Sequence, residues 1–419
     1  MIGEIIAIGD ELTSGRVLNT TSRFAAGQLF TAGHEIFAMA TIPDTPAKIG
    51  AALNRAIKRS DFVIVTGGLG ATSDDLTNEA VGNALDRPIE FRQDVFDKIT
   101  ARLPKIIGQD TKHLEKLAWL PAGADILNPD ARMAGYLLIH NDKPVFLLPG
   151  IPHEMQELLT ERVIPRLALW EKSGDARYVR QKVYKVFGLG ETRINHRLEK
   201  LENNDERIRI GYYPVFPEVH ISLSVVGESE TKAESLFLQH DEEILTLLGD
   251  SLFGTDEETM EGVVGKILVE QGKVLATAES CSGGLIAHKI TCVPGSSNYF
   301  AGGVVAYSND LKEHFLDVAP ALLKEYGAVS SQVARAMAEG IRTGTGADIG
   351  VSVTGIAGPT GGTPEKPVGT VFVGLSMPDE TIDIPCRFPG DRWQVQKLTA
   401  VKSLDLVRRL LLGLQLETT

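Results

Sequence analysis

The chain has 419 residues, too many for one ordinary hydrophobic core, so we expect two or three domains. The net charge of −13 argues against nonspecific binding to nucleic acid, and no apolar run approaches the roughly 20 residues of a membrane span. The three cysteines lack metal-ligand spacing, and no basic signal-peptide segment opens the chain. These features predict a cytoplasmic protein that contacts neither membrane nor, directly, nucleic acid.

Strand and helix patterns alternate over residues 1–170, which predicts a parallel sheet with helices on both faces. The predicted strands are 4–8, 35–40, 62–65 and 145–148, and the predicted helices are 19–30, 46–59 and a segment from about 152. Residues 171–254 predict a small α+β module with strands 179–187 and 218–226 and helices 191–201 and 231–248.

Residues 259–419 alternate again, which predicts a second α/β domain. The predicted strands are 274–276, 303–308, 349–353, 370–375 and 382–388, and the predicted helices are 260–271, 285–290, 331–342 and 392–412.

Three polar, glycine-bearing loops follow strands of the first domain, at 9–15, 66–77 and 148–155. Ligands of open α/β sheets bind at this edge, and glycines let a backbone approach phosphate closely. The alternative for 66–77 is a glycine turn followed by a helix-capping aspartate. The predicted nucleotide-site residues are Asp10, Asn19, Gly67, Gly68, Gly70 and Glu154, with Asp74 and Asp75 as ligands of a divalent metal bridging phosphates.

The segment Thr-Ala-Glu-Ser-Cys-Ser-Gly-Gly at 277–284 separates a predicted strand from a predicted helix. A small nucleophilic side chain stands exposed at such a turn, and N–H groups at the helix start can hold an oxyanion. Ser280 is the leading nucleophile and Cys281 its rival, while Ser280 as a mere helix cap is the alternative. The predicted oxyanion donors are the N–H groups of Ser282, Gly283 and Gly284.

Serine needs a base, and no histidine stands at an obvious partner position. Lys312 can serve if burial lowers its pKa, and Tyr307 could relay a proton or orient the lysine. An ordinary solvated lysine and a half-buried core tyrosine are the alternatives. Glu279 could be an acid behind the site or a surface charge, and the glycine-rich loop 355–362 suits a ribose phosphate.

The first domain resembles the molybdopterin-binding fold of the CinA (competence/damage-inducible protein A) family through the motifs GDEL-SG, GGLG-T-DD-T and LPG-P-EM. The resemblance implies a three-layer α/β/α domain that splits ADP-ribose as a pyrophosphatase with a divalent metal (Mg, Mn or Co). Ala71 stands where the family usually has proline. A segment containing Arg132 and Met133 replaces the usual Gly-Thr-Ala-Pro-Gly loop and could obstruct the pocket.

Residues 187–191 and 211–214 resemble the KH-like domain of the same family. A KH domain that binds RNA clamps the backbone with a GXXG loop, and no convincing basic GXXG occurs here. We therefore expect the module to be a structural connector.

The last domain resembles the nicotinamide-nucleotide amidases of the CinA family through TAESC-GG, GGVVAYSN--K, GAVS and TGIAGP-GGT--KPVGTV. The resemblance implies hydrolysis of nicotinamide mononucleotide to nicotinate mononucleotide and ammonia without a cofactor, with Ser280, Tyr307 and Lys312 in the catalytic set. It leaves serine versus cysteine open. The expected substrate contacts are Glu279, Cys281, Ser282, Gly283, Gly284, Thr354, Gly355, Gly358 and Arg392.

Two further expectations concern assembly and the competing class of function. A homodimer is the default, because symmetric dimers are the commonest oligomers. The family name also allows a non-enzymatic adaptor linked to competence or the response to DNA damage.

Overall fold

The computed structural model describes residues 1–101, 112–128, 135–170, 178–202 and 205–416. The predicted loop replacement with Arg132 and Met133 lies outside the described residues. The chain forms two compact units, Met1–Arg180 with Val225–Phe237, and Gln181–Ser224 with Leu238–Thr419. Among the described residues, no helix combines the length and the apolar character needed to cross a membrane.

Within the described residues, the N-terminal domain contains eight strands and eight α-helices. The strands are β1 (Ile2–Ile8), β2 (Glu35–Ile42), β3 (Phe62–Thr66), β4 (Ile89–Phe91), β5 (Trp119–Pro121), β6 (Asp125–Ile126), β7 (Tyr136–His140) and β8 (Lys143–Leu148). The helices are α1 (Asp10–Thr13), α2 (Thr20–Thr31), α3 (Pro46–Arg59), α4 (Thr77–Ala84), α5 (Gln93–Ala101), α6 (Lys112–Glu115), α7 (Pro152–Leu158) and α8 (Ile164–Ala168).

Six of these strands form one sheet in the order β2-β1-β3-β8-β7-β6. The first four are parallel, and β7 and β6 continue the sheet antiparallel. Ile6 packs into a core cluster with Ile49 and Leu53 of α3, while the adjacent Ile5 packs on the opposite face with Leu29 of α2. Both faces are therefore covered, which confirms the predicted three-layer α/β/α domain.

The middle module contains β9 (Tyr178–Val186), α9 (Glu191–Glu202), β10 (Ile208–Val215), β11 (Glu218–Gly227), α10 (Glu230–Leu248) and β12 (Leu252–Thr255). Its four strands pair in the order β10-β11-β9-β12, which confirms the α+β class. Two residues, Phe216 and Pro217, connect β10 to β11 as a hairpin. The sequence analysis missed β10 and β12, because both are short or polar on one side.

The C-terminal domain is the second α/β domain. Its helices are α11 (Met260–Glu270), α12 (Leu285–Thr291), α13 (Asn309–Leu316), α14 (Pro320–Tyr326), α15 (Ser331–Thr345) and α16 (Arg392–Leu411). Its strands are β13 (Leu275–Glu279), β14 (Phe300–Val305), β15 (Ile349–Gly355), β16 (Thr370–Ser376) and β17 (Thr381–Arg387).

The five strands form a sheet in the order β14-β13-β15-β16-β17, with β13 parallel to both of its neighbours. Side chains of α11, α12 and α16 cover one face, and those of α13 to α15 cover the other. The predicted strand 303–308 is wrong at its end, because β14 stops at Val305 and Ser308 caps α13. Tyr307 therefore lies in the connecting turn.

Candidate functional site

Residues 280–284, here named the nucleophile turn, connect the end of β13 to α12. Gly283 and Gly284 have φ of 67° and 95°, which a residue with a side chain would adopt only with strain. The Ser280 N–H donates to the Val353 carbonyl at 3.1 Å, so the backbone pairing of β13 and β15 extends into the turn. The Ser280 hydroxyl is thus fixed at the carboxyl edge of the sheet.

Glu279 is 1% exposed, and its carboxylate accepts four hydrogen bonds from the nucleophile turn and α12. The donors are Ser282 Oγ at 2.6 Å and the N–H groups of Gly284 at 3.0 Å, Ile286 at 3.1 Å and Ala287 at 2.8 Å. The carboxylate thereby satisfies donors that a helix start leaves without partners. Glu279, predicted as a substrate contact, an acid behind the site or a surface charge, lies beneath the turn and holds it in place.

Two of the three predicted oxyanion donors are used within the turn. The Gly283 N–H donates to the Ser280 carbonyl at 3.2 Å, and the Gly284 N–H donates to Glu279. Among the described residues, the Ser282 N–H alone of the three makes no hydrogen bond. The oxyanion pocket predicted from three N–H groups is therefore reduced to that of Ser282.

Lys312, in α13, is 1% exposed, and its amine lies beside the nucleophile turn. Its Nζ is 3.3 Å from Ser280 Oγ and donates to the Ala306 carbonyl at 2.8 Å. Burial lowers the pKa of Lys312 below that of an exposed lysine. The structure thus brings the predicted base to the predicted nucleophile, in an environment that favours the neutral amine.

Cys281 is 6% exposed and belongs to the core cluster between the sheet and α16. Burial raises the pKa of its thiol to about 12, so the thiol is protonated at neutral pH. Its carbonyl accepts a hydrogen bond from Gln396 Nε2 at 3.0 Å. Cys281, predicted as a substrate contact and rival nucleophile, is a core residue whose carbonyl anchors the turn to α16.

Tyr307 and Arg392 form the exposed side of the site. Arg392 Nη2 donates to Tyr307 Oη at 2.9 Å, and Arg392 Nη1 donates to the Gly358 carbonyl at 2.9 Å. The sequence had suggested that Tyr307 could orient Lys312. The hydrogen-bond partner of the Tyr307 hydroxyl is instead Arg392. The pair joins the turn after β14, the glycine-rich loop and the start of α16.

Thr354 is buried, and its hydroxyl donates to the Ala328 carbonyl at 2.6 Å. This predicted substrate contact therefore braces the neighbouring segment. Gly355 packs against β16 with no room for a side chain. Lys366, whose role the sequence analysis missed, donates to the Val329 carbonyl at 2.7 Å and ties the loop to the same segment.

In the N-terminal domain, the glycine loop after β3 meets the ends of the two adjacent strands. A Cβ on Gly67 would lie 2.2 Å from the Ile8 carbonyl oxygen, and the Gly67 N–H donates to Leu148 O at 3.1 Å. Gly67 and Gly68 have φ of 98° and 66°. The three predicted loops therefore come together at the carboxyl edge of the sheet. Gly67 contacts the ends of β1 and β8, from which the other two loops begin.

Asp10 and Asp44 accept hydrogen bonds from each other's N–H groups, at 3.1 and 2.8 Å. Asp44, which the sequence analysis missed, places Oδ1 3.5 Å from the Cβ position of Gly68. Burial, followed by the nearby carboxylates of Asp10, Glu11 and Asp74, raises the pKa of Asp44 above its ordinary value, while the hydrogen bond from Asp10 opposes this. Negative charge thus converges beside the glycine loop.

The structure gives both predicted metal ligands, Asp74 and Asp75, a hydrogen-bond partner within the loop. Asp75 accepts hydrogen bonds from Thr72 N–H at 2.9 Å and Thr72 Oγ1 at 2.5 Å, and a Thr72 hydrogen bond also lowers the pKa of Asp74. Within the described ranges, no group of three or more His, Cys, Asp or Glu side chains is arranged to hold a metal ion. Asp10 and Asp44 supply further hard oxygen donors beside the loop.

The other two predicted residues differ in role. Asn19 caps α2 by accepting from the Ser22 N–H at 3.0 Å, and it also donates to Thr41 Oγ1 at 3.2 Å. Glu154, in the first turn of α7, has a buried Oε2 without a hydrogen-bond partner among the described residues.

A cavity of about 590 Å³ lies beside the glycine loop, lined in part by Gly70, Asn78, Lys116 and Trp119. Asn78 Nδ2 donates to the Trp119 carbonyl at 3.1 Å, and Tyr136 Oη donates to Asn78 Oδ1 at 2.8 Å. The half-exposed indole of Trp119 gives the cavity an aromatic wall. Sequence patterns gave no signal of this cavity.

Two α/β domains, with a small α+β module between them in the sequence, define a multidomain α/β protein. Three family models match it in order: "Probable molybdopterin binding domain" over residues 4–169, "Damage-inducible protein CinA KH domain" over 181–254, and "CinA C-terminal domain" over 257–411. The chain belongs to the CinA family.

Two full-length relatives, of Desulfotalea psychrophila and Citrifermentans bemidjiense, support the same assignment. A CinA-like protein of Desulfotalea psychrophila is 52% identical over 411 residues, covering 98% of both chains. A CinA-like protein of Citrifermentans bemidjiense is 40% identical over 410 residues, covering 97% of both. The solved competence/damage inducible protein CihA of Agrobacterium tumefaciens is 36% identical, covering 36% of this chain and 94% of that chain with a TM-score of 0.35.

Proposed function

We propose that the C-terminal domain is a nicotinamide-nucleotide amidase of pyridine-nucleotide salvage, which converts nicotinamide mononucleotide to nicotinate mononucleotide and ammonia. One observation carries the proposal: the amine of buried Lys312 lies 3.3 Å from Ser280 Oγ. A lysine whose pKa is lowered by burial can accept the proton that a serine must lose to attack an amide.

In this mechanism, neutral Lys312 accepts the Ser280 proton as Oγ attacks the carboxamide carbon. The C–N bond then breaks, and Lys312 returns the proton to the departing nitrogen, which leaves as ammonia. Water attacks the acyl-serine ester while Lys312 takes one of its protons, and nicotinate mononucleotide leaves as Ser280 regains a proton. Of the three predicted donors, the Ser282 N–H is the one that the turn itself does not use, and in this mechanism it donates to the oxyanion.

Arg392 is suited to the phosphate of the substrate. Its hydrogen bonds to Tyr307 and Gly358 use two of the five N–H donors of a guanidinium, so three remain for an anion. Tyr307, which is 60% exposed, presents an aromatic face beside the arginine, where a cationic nicotinamide ring can bind.

The test is ammonia release from nicotinamide mononucleotide by the full chain. We expect Ser280→Ala to abolish release and the matched Cys281→Ala variant to keep it, because the Cys281 side chain lies in the core. Loss of activity in Cys281→Ala with retention in Ser280→Ala would assign the attack to the thiol. A pure wild-type protein without activity on this nucleotide or on ADP-ribose would favour the adaptor function.

A second proposed activity is the splitting of ADP-ribose at the pyrophosphate by the N-terminal domain. It is favoured by Asp44, which joins Asp10 beside the glycine loop, and by the adjoining cavity, which has room for a nucleoside. A divalent cation (Mg, Mn or Co), held by these two carboxylates, would neutralise phosphate charge there. Release of AMP from ADP-ribose, measured with each metal and with a chelator, tests this activity. No release with any metal would reject it.

We also propose that the protein acts in the cytoplasm as a homodimer. Light scattering of the purified chain tests the assembly, and a monomeric mass would reject it.

A further inference from the structure

The hairpin between β10 and β11 of the middle module lies against the start of α16 in the C-terminal domain. The rings of Phe216 and Trp393 are stacked, with centroids 5.7 Å apart and planes inclined by 27°. Lys397 Nζ donates to the Phe216 carbonyl at 3.1 Å and lies 4.8 Å from the centroid of the Trp393 ring. All three residues belong to the same compact unit.

The same two turns of α16 also hold the candidate amidase site. Arg392 bonds to Tyr307 and to the glycine-rich loop, and Gln396 bonds to the carbonyl of Cys281 in the nucleophile turn. Arg392 and Gln396 are four residues apart and therefore share one stripe of the helix. Trp393 and Lys397 form the adjacent stripe. The hairpin and the candidate site therefore contact neighbouring faces of the first two turns of α16.

The side of α16 that meets the hairpin lies at the protein surface. Trp393 is 58% exposed and Phe216 38%, so their stacking and the Lys397 hydrogen bond are contacts of a surface. A capping box of Asp391 and Gln394 fixes the backbone of the first turn but leaves the direction of the Arg392 side chain to its neighbours. Contact with the hairpin restrains the helix turn from which that side chain extends.

We propose that the hairpin tip of the middle module is a positioning element of the amidase site. Phe216 holds Trp393, and through the shared first turn of α16 it keeps the Arg392 guanidinium in place to bind the phosphate of the substrate. Phe216 is a positioning residue, because it acts through Arg392. This inference rests on the proposed amidase function and gives the middle module a role in it.

The experiment measures kcat and KM for ammonia release by the full chain from nicotinamide mononucleotide and from nicotinamide riboside, which lacks the phosphate. Phe216→Ala should raise KM for the mononucleotide about two- to tenfold, the value of one aromatic stack, with little change in kcat. KM for the riboside should not change. The matched control is Tyr213→Ala, an exposed aromatic of the same hairpin that bonds within the module.

A double variant makes the test sharper. If Phe216 acts through Arg392, then Phe216→Ala should add nothing to the KM rise of Arg392→Lys. Equal KM changes on both substrates, additive effects, or an unchanged KM would each overturn the inference and leave the hairpin as packing alone.

A binding measurement separates this inference from the amidase proposal. Calorimetric titration of nicotinamide mononucleotide into Ser280→Ala and Ser280→Ala/Phe216→Ala reports affinity without turnover. Weaker binding in the double variant supports the inference even if the wild-type chain releases no ammonia, an outcome that would sink only the amidase proposal. Equal affinity, or no binding to either protein, overturns the inference.

Discussion

The nucleophile turn and the glycine loop of residues 66–77 both follow a parallel strand, but they are built in opposite ways. In the nucleophile turn, the charged groups are buried: Glu279 holds the backbone, and the Lys312 amine lies at the serine. At the glycine loop, the backbone itself is tightly packed, and the carboxylates of Asp10 and Asp44 stay partly or fully exposed.

This difference in the burial of charged groups corresponds to the different chemistry proposed for the two sites. In the proposed amidase, the C-terminal site supplies its own nucleophile and base, so both must be held in place and shielded from water before substrate arrives. In the proposed pyrophosphatase, the N-terminal site offers carboxylates to a ligand that brings phosphates, so its donors must remain accessible. This interpretation would be wrong if the C-terminal site stayed active after removal of a buried charged group. It would also be wrong if the N-terminal site kept its activity after removal of an exposed carboxylate.

The largest expected effect is that of Lys312→Met on ammonia release. Methionine fills the volume of the lysine stem but cannot accept the serine proton, so kcat should fall about 1,000-fold. Lys324→Met, which changes an exposed lysine of α14, is the matched control and should keep wild-type activity.

The pH profile gives the same variant a second readout. The reaction needs the neutral amine, so wild-type activity should rise with pH through the lowered pKa of Lys312 and reach its plateau below the pH expected for an exposed lysine. The residual activity of Lys312→Met should lack that rise. An identical rise in both proteins would assign it to another group and contradict lysine as the base.

The second effect concerns the exposed site. Asp44→Asn keeps an oxygen that can accept the Asp10 N–H but removes the charge, so AMP release from ADP-ribose should fall about 100-fold. Ammonia release should not change. Asp142→Asn, in a surface turn with φ of 58° that asparagine tolerates, is the matched control. A loss of both activities would indicate general damage to the protein rather than a role at the glycine loop.

The third effect falls on Glu279, which the comparison identifies as a brace. Glutamine offers one acceptor oxygen and turns an NH2 group toward donors, so Glu279→Gln should lower the free energy of unfolding by about 1–3 kcal/mol. The same change should lower kcat about tenfold by loosening the turn. Calorimetric unfolding and ammonia release measure the two effects, with the exposed Glu270→Gln as control. Unchanged stability would mean that the four hydrogen bonds do not hold the turn.

The sequence located residues whose role is local. The nucleophile turn was predictable because its glycines, small nucleophiles and flanking apolar runs are adjacent in the chain. Lys312 was predictable as a candidate because it follows the next strand of the parallel sheet. The glycine loop was predictable for the same reason, since its positive-φ glycines stand directly after a Val- and Ile-rich strand.

Residues whose role depends on distant partners were missed or misjudged. Asp44 lies 34 residues from Asp10, and nothing near it in the chain indicates the contact. Glu279 is a different case, because its partners are only three to eight residues away. The sequence left it open as a substrate contact, an acid behind the site or a surface charge, since a pattern does not show on which side of a strand end a carboxylate lies. Phe216 meets Trp393 only through packing of the middle module, which neither segment's sequence reveals.

The smallest expected effect tests the thiol beside the nucleophile. Because burial raises the pKa of Cys281 to about 12, iodoacetamide at pH 8 should alkylate exposed Cys292 and leave Cys281 unmodified. Ammonia release by the alkylated protein should stay within about twofold of that of untreated protein, since Cys292 lies outside the proposed site. Mass spectrometry of peptides locates the modification, and urea-unfolded chain is the control in which all three cysteines react. Rapid alkylation of folded Cys281 with loss of activity would show that its thiol is accessible enough to attack the substrate. That result would contradict Ser280 as the nucleophile.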